Sequence, residues 1–120
     1  MGETNYQARV SSWVKAISDS ESIDSAERTH RFLEEALELA QASGCSRDDA
    51  AALIDYVFSR PVGEPKLEAG AVLVTLAGLC SSLNIDMQSA GETELRRNWE
   101  RVEAIKLKRS AKPKDSPLPQ

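Results

Sequence analysis

Three glutamates crowd one short segment of this chain: Glu34, Glu35 and Glu38 stand in the run Phe32-Leu-Glu-Glu-Ala-Leu-Glu-Leu-Ala40. At about 100° per residue on a helix, they fall within an arc of roughly 100°. Glu34 and Glu35 each lie one turn from Glu38, a spacing at which like charges repel by roughly 0.2–0.5 kcal/mol. Arg31 can pair with Glu34 or Glu35, but residues 39–42 offer Glu38 no cation. Phe32 and Leu39 border the arc on one side, Leu33 and Leu37 on the other, which is more enclosure than a solvated acidic face requires. Glu68 opens an otherwise apolar segment, and a carboxylate is buried there only with a partner. A divalent cation answers both problems. Mg²⁺ takes carboxylate oxygens while keeping waters and substrate phosphates as its other ligands, and it neutralises phosphate and orients an attacking water. The plain alternative is a solvated acidic helix face.

The elements that must position these groups are helical. Ala, Leu, Glu and Arg are prominent and aromatics make up only 5% of 120 residues, which favours an all-α chain. A first helix is predicted over about 6–17, with Val10, Trp13, Val14 and Ile17 on one stripe. After a polar connector at 18–25, Asp24 and Glu27 form a capping box that opens a second helix, which Gly44 ends. Ser46 with Asp49 caps a third, closed by Arg60-Pro61, and Pro65 suits the first turn of a fourth. The fourth, through Leu83, carries Val72, Leu73, Val74, Leu76, Leu79 and Cys80 in every direction, so it must be buried all round. Gly70, Ala71, Ala77 and Gly78 let another helix approach closely. A last helix is predicted from 89–93 to about Arg109, with Leu95, Trp99, Val102 and Ile105 inward. The expectation is a compact bundle of four to five helices without internal repeat, assembling through its central helix into a dimer or tetramer. One domain spans 1–110, followed by a Pro- and Lys-containing tail over 111–120.

Charge and composition restrict the function classes. Residues 1–94 carry 16 acidic and 7 basic side chains, residues 95–120 carry 3 and 8. Such an acidic body with a basic end can hold metal in one place and phosphate in another, or simply present a solvated basic helix. That end has no helix-turn-helix pattern and the body repels DNA, so nucleic acid is not an expected partner. No run of about 18 apolar residues predicts a membrane span. Cys45 and Cys80 have neither metal-ligand spacing nor more than one histidine to help them. Reduced thiols in a cytoplasm are expected.

Glu35-x-x-Glu38, then Glu68 about thirty residues later, an apolar helix, and Leu83-Asn-Ile-Asp-Met87 together resemble the MazG-like all-α nucleoside triphosphate pyrophosphohydrolases. The resemblance covers roughly Glu27 to Lys108. It is nearest to the phage and bacterial dATP/dGTP pyrophosphohydrolases, through Arg60-Pro-Val-Gly-Glu-Pro65, Val74-Thr-Leu-Ala77 and Gly91-Glu-Thr-Glu-Leu95. It implies Mg²⁺- or Mn²⁺-dependent cleavage of a (deoxy)nucleoside triphosphate, with a purine dNTP as the leading substrate, between the α and β phosphates. The implied setting is the cytoplasm of a bacterium or of a phage-infected cell. It also implies Glu34, Glu35, Glu38 and Glu68 as metal ligands, with Glu35 and Glu38 catalytic. The family pattern E-x-x-D, begun at Glu68, meets Ala71 where an aspartate is expected, leaving Asp86, Glu92 or Glu94 to substitute.

Basic residues of the last helix and tail (Arg97, Arg101, Lys106, Lys108, Lys112, Lys114) can neutralise a triphosphate. Lys106 and Lys108 come first, because the corresponding helix of the family carries phosphate-binding residues. Asn98 can contact the nucleotide. Trp13 and Trp99 can stack on a base, although their helical stripes suit core packing. His30 and Asp55 suit surface positions. Alternative functions are a nucleotide-binding pseudoenzyme or sponge, suggested by Ala71, and a helical adaptor protein.

Overall fold

A computed structural model describes residues 5–18 and 24–111, with side chains through Lys108. Among the described residues there are six helices and no strand: α1 (Tyr6–Ser18), α2 (Ser25–Ala42), α3 (Arg47–Phe58), α4 (Pro65–Ser82), α5 (Met87–Glu100) and α6 (Val102–Ala111). The chain is all-α, and no single described helix is long and apolar enough to cross a membrane. Most of the connector at 18–25 and the tail beyond Ala111, with Lys112 and Lys114, lie outside the described residues.

Local chemistry sets the helix ends. Asn5 Oδ1 accepts from the Ala8 amide at 2.8 Å to start α1. Asp24 Oδ1 accepts from the Ala26 and Glu27 amides at 2.9 and 3.3 Å to start α2. The Ser46 hydroxyl accepts from the Asp49 amide at 3.0 Å to start α3. Each satisfies an amide that the first helical turn leaves without an intrahelical acceptor. At α4, Glu64 makes no side-chain cap, and Pro65 at the first position removes one donor instead.

α2 and α4 end in the same kind of backbone turn. At the end of α2 the Gly44 amide donates to Gln41 O and the Cys45 amide to Ala40 O. At the end of α4 the Asn84 amide donates to Ser81 O and the Ile85 amide to Cys80 O. The pivots are Gly44 at φ 100° and Asn84 at φ 61°, forty positions apart. Both turns end in a left-handed residue that satisfies the last carbonyls. Each then delivers a short polar residue, Ser46 or Asp86, immediately before the next helix.

The chain divides into two compact units. The terminal unit comprises Met1–Leu33 and Ser89–Gln120. Within it α1 packs against α6, and Val14, Ile17 and Leu95 are its buried apolar residues. Two expectations change here. The last helix is two helices, because the Arg101 amide turns to the Asn98 carbonyl three residues back at 3.1 Å, tightening one turn. Trp99, expected inward with Leu95, is 44% exposed.

The central unit, Glu34–Gln88, holds the rest of α2, with α3 and α4. It carries nine acidic and three basic residues, so the chain's negative charge is concentrated here. Its one buried apolar residue is Cys80, and α3 buries none. The predicted all-round burial of α4 does not occur within the chain, since Leu67, Leu73 and Val74 are all exposed.

Candidate functional site

The α2 glutamates share the face that helical spacing predicts. Glu34 is half-buried, while Glu35 and Glu38 are exposed. Glu34 and Glu35 are each engaged by a neighbouring group. Arg31 reaches back to Glu27, with Nε 3.8 Å from its carboxylate. Glu38 faces a cavity of about 510 Å³ within the central unit. Leu37, Glu38 and Gln41 of α2 form one wall, Arg47 and Ile54 of α3 the other, and Cys45 of the turn closes one end. This volume falls in the range of small-molecule sites. Its lining is largely aliphatic, with one carboxylate and one guanidinium. Sequence spacing gave no role to Arg47, because it lies on the next helix and lines the same cavity as Glu38 only through the Gly44 turn.

Glu68 takes a different place. Its carboxylate lies so close over the Gly63 backbone that a Cβ at 63 would collide with it. The contact is with the flexible end of a side chain, which can move aside, and Glu68 does not line the Glu38 cavity. Among the described residues, no three histidine, cysteine, aspartate or glutamate side chains gather closely enough to hold an ion within one chain. Oxygen donors one turn apart on α2 still suit a hard cation that uses one or two carboxylates and completes its shell with water and phosphates. Within one chain the described side chains form no all-protein cage.

The substitutes for the aspartate missing at Ala71 have other commitments. Arg9 Nη1 and Nη2 donate to the two Glu92 carboxylate oxygens at 2.8 and 2.7 Å, a bidentate pair. These hydrogen bonds hold the Glu92 carboxyl below its ordinary value, and the positive charge of Arg9 adds to the effect. The Tyr6 hydroxyl donates to Gly91 O at 2.8 Å. Burial pushes its phenol up, and the nearby Glu92 charge does so further. Glu94 lies 3.4 Å from Arg97, and Asp86 is also engaged by a neighbour.

The remaining candidates lie in the terminal unit. Trp13 is half-buried, and its indole Nε1–H is enclosed with no acceptor among the described residues. An unmet donor of that kind costs about 1–3 kcal/mol. Asn98 is half-buried, and its Oδ1 accepts from Arg101 at 3.1 Å. Lys106 is half-buried and engaged by a neighbour, whereas Lys108 is exposed. His30 and Asp55 are exposed, as their sequence setting suggests. A second cleft of about 430 Å³ lies between α1 and α5, lined by Arg9, Ser12, Glu92, Leu95, Arg96 and Trp99. No family model, curated protein or solved structure matches the chain.

Proposed function

We propose that this chain is a metal-dependent nucleoside triphosphate pyrophosphohydrolase, acting on a (deoxy)nucleoside triphosphate and foremost a purine dNTP. The observation that carries the reading is Glu38, set on the same α2 face as Glu34 and Glu35 at the wall of a nucleotide-sized cavity with Arg47 opposite. The order of glutamates that resembles the MazG-like enzymes supports it. Glu34, Glu35 and Glu38 would hold Mg²⁺ or Mn²⁺, with Glu68 contributing as that resemblance implies. A bound cation would supply charge neutralisation for the phosphates.

Glu35 and Glu38 then act as the bases that orient the attacking water and take its proton. The water oxygen bonds to phosphorus as the α–β bridging P–O bond breaks, and monophosphate and pyrophosphate leave. Arg47 offers five donors in a planar fork suited to phosphate oxygens. Trp13, Asn98, Lys106 and Lys108 are the proposed substrate contacts. The reading includes a homodimer or homotetramer working in the cytoplasm of a bacterium or phage-infected cell.

A second reading is a nucleotide-binding pseudoenzyme or sponge. It is favoured by Ala71 and by the absence of any three-carboxylate group among the described residues. The two part on turnover. Incubation with dATP, dGTP and other triphosphates, with Mg²⁺ and then Mn²⁺, releases pyrophosphate if the enzyme reading holds. Metal-dependent nucleotide binding without pyrophosphate selects the pseudoenzyme.

A further inference from the structure

The cleft between α1 and α5 in the terminal unit has no part in the proposed reaction and shares no residue with the Glu38 cavity. Its volume of about 430 Å³ lies at the small end of the range for small-molecule sites. Two contacts hold its walls together at one end. The Tyr6 hydroxyl donates to Gly91 O at 2.8 Å, and one turn further along α1 the Arg9 guanidinium donates to both Glu92 oxygens. At about 1.5 Å per residue, Trp99 stands roughly 10 Å beyond Glu92 on α5.

Glu92, Arg96 and Trp99 follow one another at i, i+4 and i+7, which puts a carboxylate, a guanidinium and an indole on one face of α5. Leu95 is buried beneath them and supplies an apolar floor. One turn before Arg96, Glu92 is placed to pair with it, but Arg9 occupies both of its oxygens. Among the described residues Arg96 forms no ion pair, neither with Glu92 nor with Glu100 one turn later. The Ser12 hydroxyl donates back to Ala8 O at 3.3 Å and adds no donor to the cleft. Arg9 and Arg96 against Glu92 leave the cleft a net charge of +1. That charge matches a single carboxylate better than a phosphate ester, which carries about two negative charges at neutral pH.

We propose that this cleft binds a small aromatic monocarboxylate, its carboxylate on the Arg96 guanidinium and its ring against Trp99 over Leu95. The planar guanidinium fork accepts both carboxylate oxygens at once. The half-exposed indole offers a face that an aromatic ring covers. The site goes beyond the pyrophosphohydrolase reading and does not depend on it, since neither metal nor the α2 glutamates take part.

The test is calorimetric titration of the full chain at about pH 7.5 with 2-naphthoate, neutral 2-naphthalenemethanol, 2-naphthyl phosphate and dAMP. One 2-naphthoate per chain is expected, bound at least tenfold more tightly than the alcohol. Arg96→Gln should abolish that preference, whereas Trp99→Leu should weaken both compounds alike, by at least fivefold. Glu92→Gln leaves Arg9 unpaired and adds a positive charge, so it should shift selectivity toward 2-naphthyl phosphate at least fivefold. Circular dichroism verifies that each variant is folded, and Arg96 and Trp99 are both exposed. Binding of 2-naphthoate no tighter than the alcohol, or unchanged in Arg96→Gln, overturns the proposal. So does dAMP bound through Arg96 more tightly than 2-naphthoate, which would make the cleft a phosphate site.

Discussion

Gly44 ends α2 at φ 100°, and a Cβ built there meets nothing within 4 Å. Gly44→Ala therefore tests backbone conformation without a steric contribution. Holding an L-residue in the left-handed region costs roughly 1–2 kcal/mol. Removing glycine's extra freedom from the unfolded chain returns about 0.4–1 kcal/mol. The net expectation is a loss of about 1 kcal/mol, or a fall in Tm of roughly 3–6 °C for a chain of this size. Asn84 is the equivalent pivot at φ 61°, and asparagine tolerates that region. Asn84→Gly should therefore change stability by less than about 0.5 kcal/mol. Thermal and urea unfolding by circular dichroism, at one fixed protein concentration because association shifts Tm, makes the comparison. A Gly44→Ala protein as stable as wild type would refute the left-handed turn. Because this turn joins the two helices that line the Glu38 cavity, the variant should also weaken whatever the cavity binds.

Glu92→Gln removes the carboxylate paired with Arg9. A carboxyl held low in the folded state stabilises above its ordinary value, 4.5, and loses that contribution as pH falls through its folded value. The Tm difference between wild type and Glu92→Gln should be full at neutral pH and shrink only below that ordinary value. A difference unchanged down to pH 3 would contradict the pairing. Ala71→Asp restores the acid three residues after Glu68 and should tighten Mn²⁺ binding severalfold by calorimetry. Unchanged affinity would mean that this position does not face the metal.

What the sequence made legible was local. Asp24, Ser46, Pro65 and Gly44 each determine their own helix end through bonds spanning two to five residues, so type and spacing suffice. The likeness of the two helix-ending turns was less legible, because they share backbone roles rather than identities: glycine and asparagine both adopt a positive φ, and serine and aspartate both precede helices. Arg9 and Glu92 are 83 positions apart, beyond the reach of any spacing rule. The apolar character of α4 was plain, but helical spacing alone could not show which of its sides the chain's own helices leave uncovered. For the candidate site, helical period alone put Glu34, Glu35 and Glu38 on one face. The placement of Glu68 over Gly63 depends on the path of the 59–64 loop, which no periodicity encodes.

Glu38→Gln is the most direct test of the proposed activity. It keeps the size of the side chain at the cavity wall and removes the charge that would hold metal and accept the proton. Steady-state pyrophosphate release from the preferred triphosphate should fall at least a hundredfold, with the circular dichroism spectrum and oligomeric mass unchanged. Release that persists at the wild-type rate in Glu38→Gln, or that is absent from the wild type with every triphosphate and both metals, would contradict a pyrophosphohydrolase centred on α2.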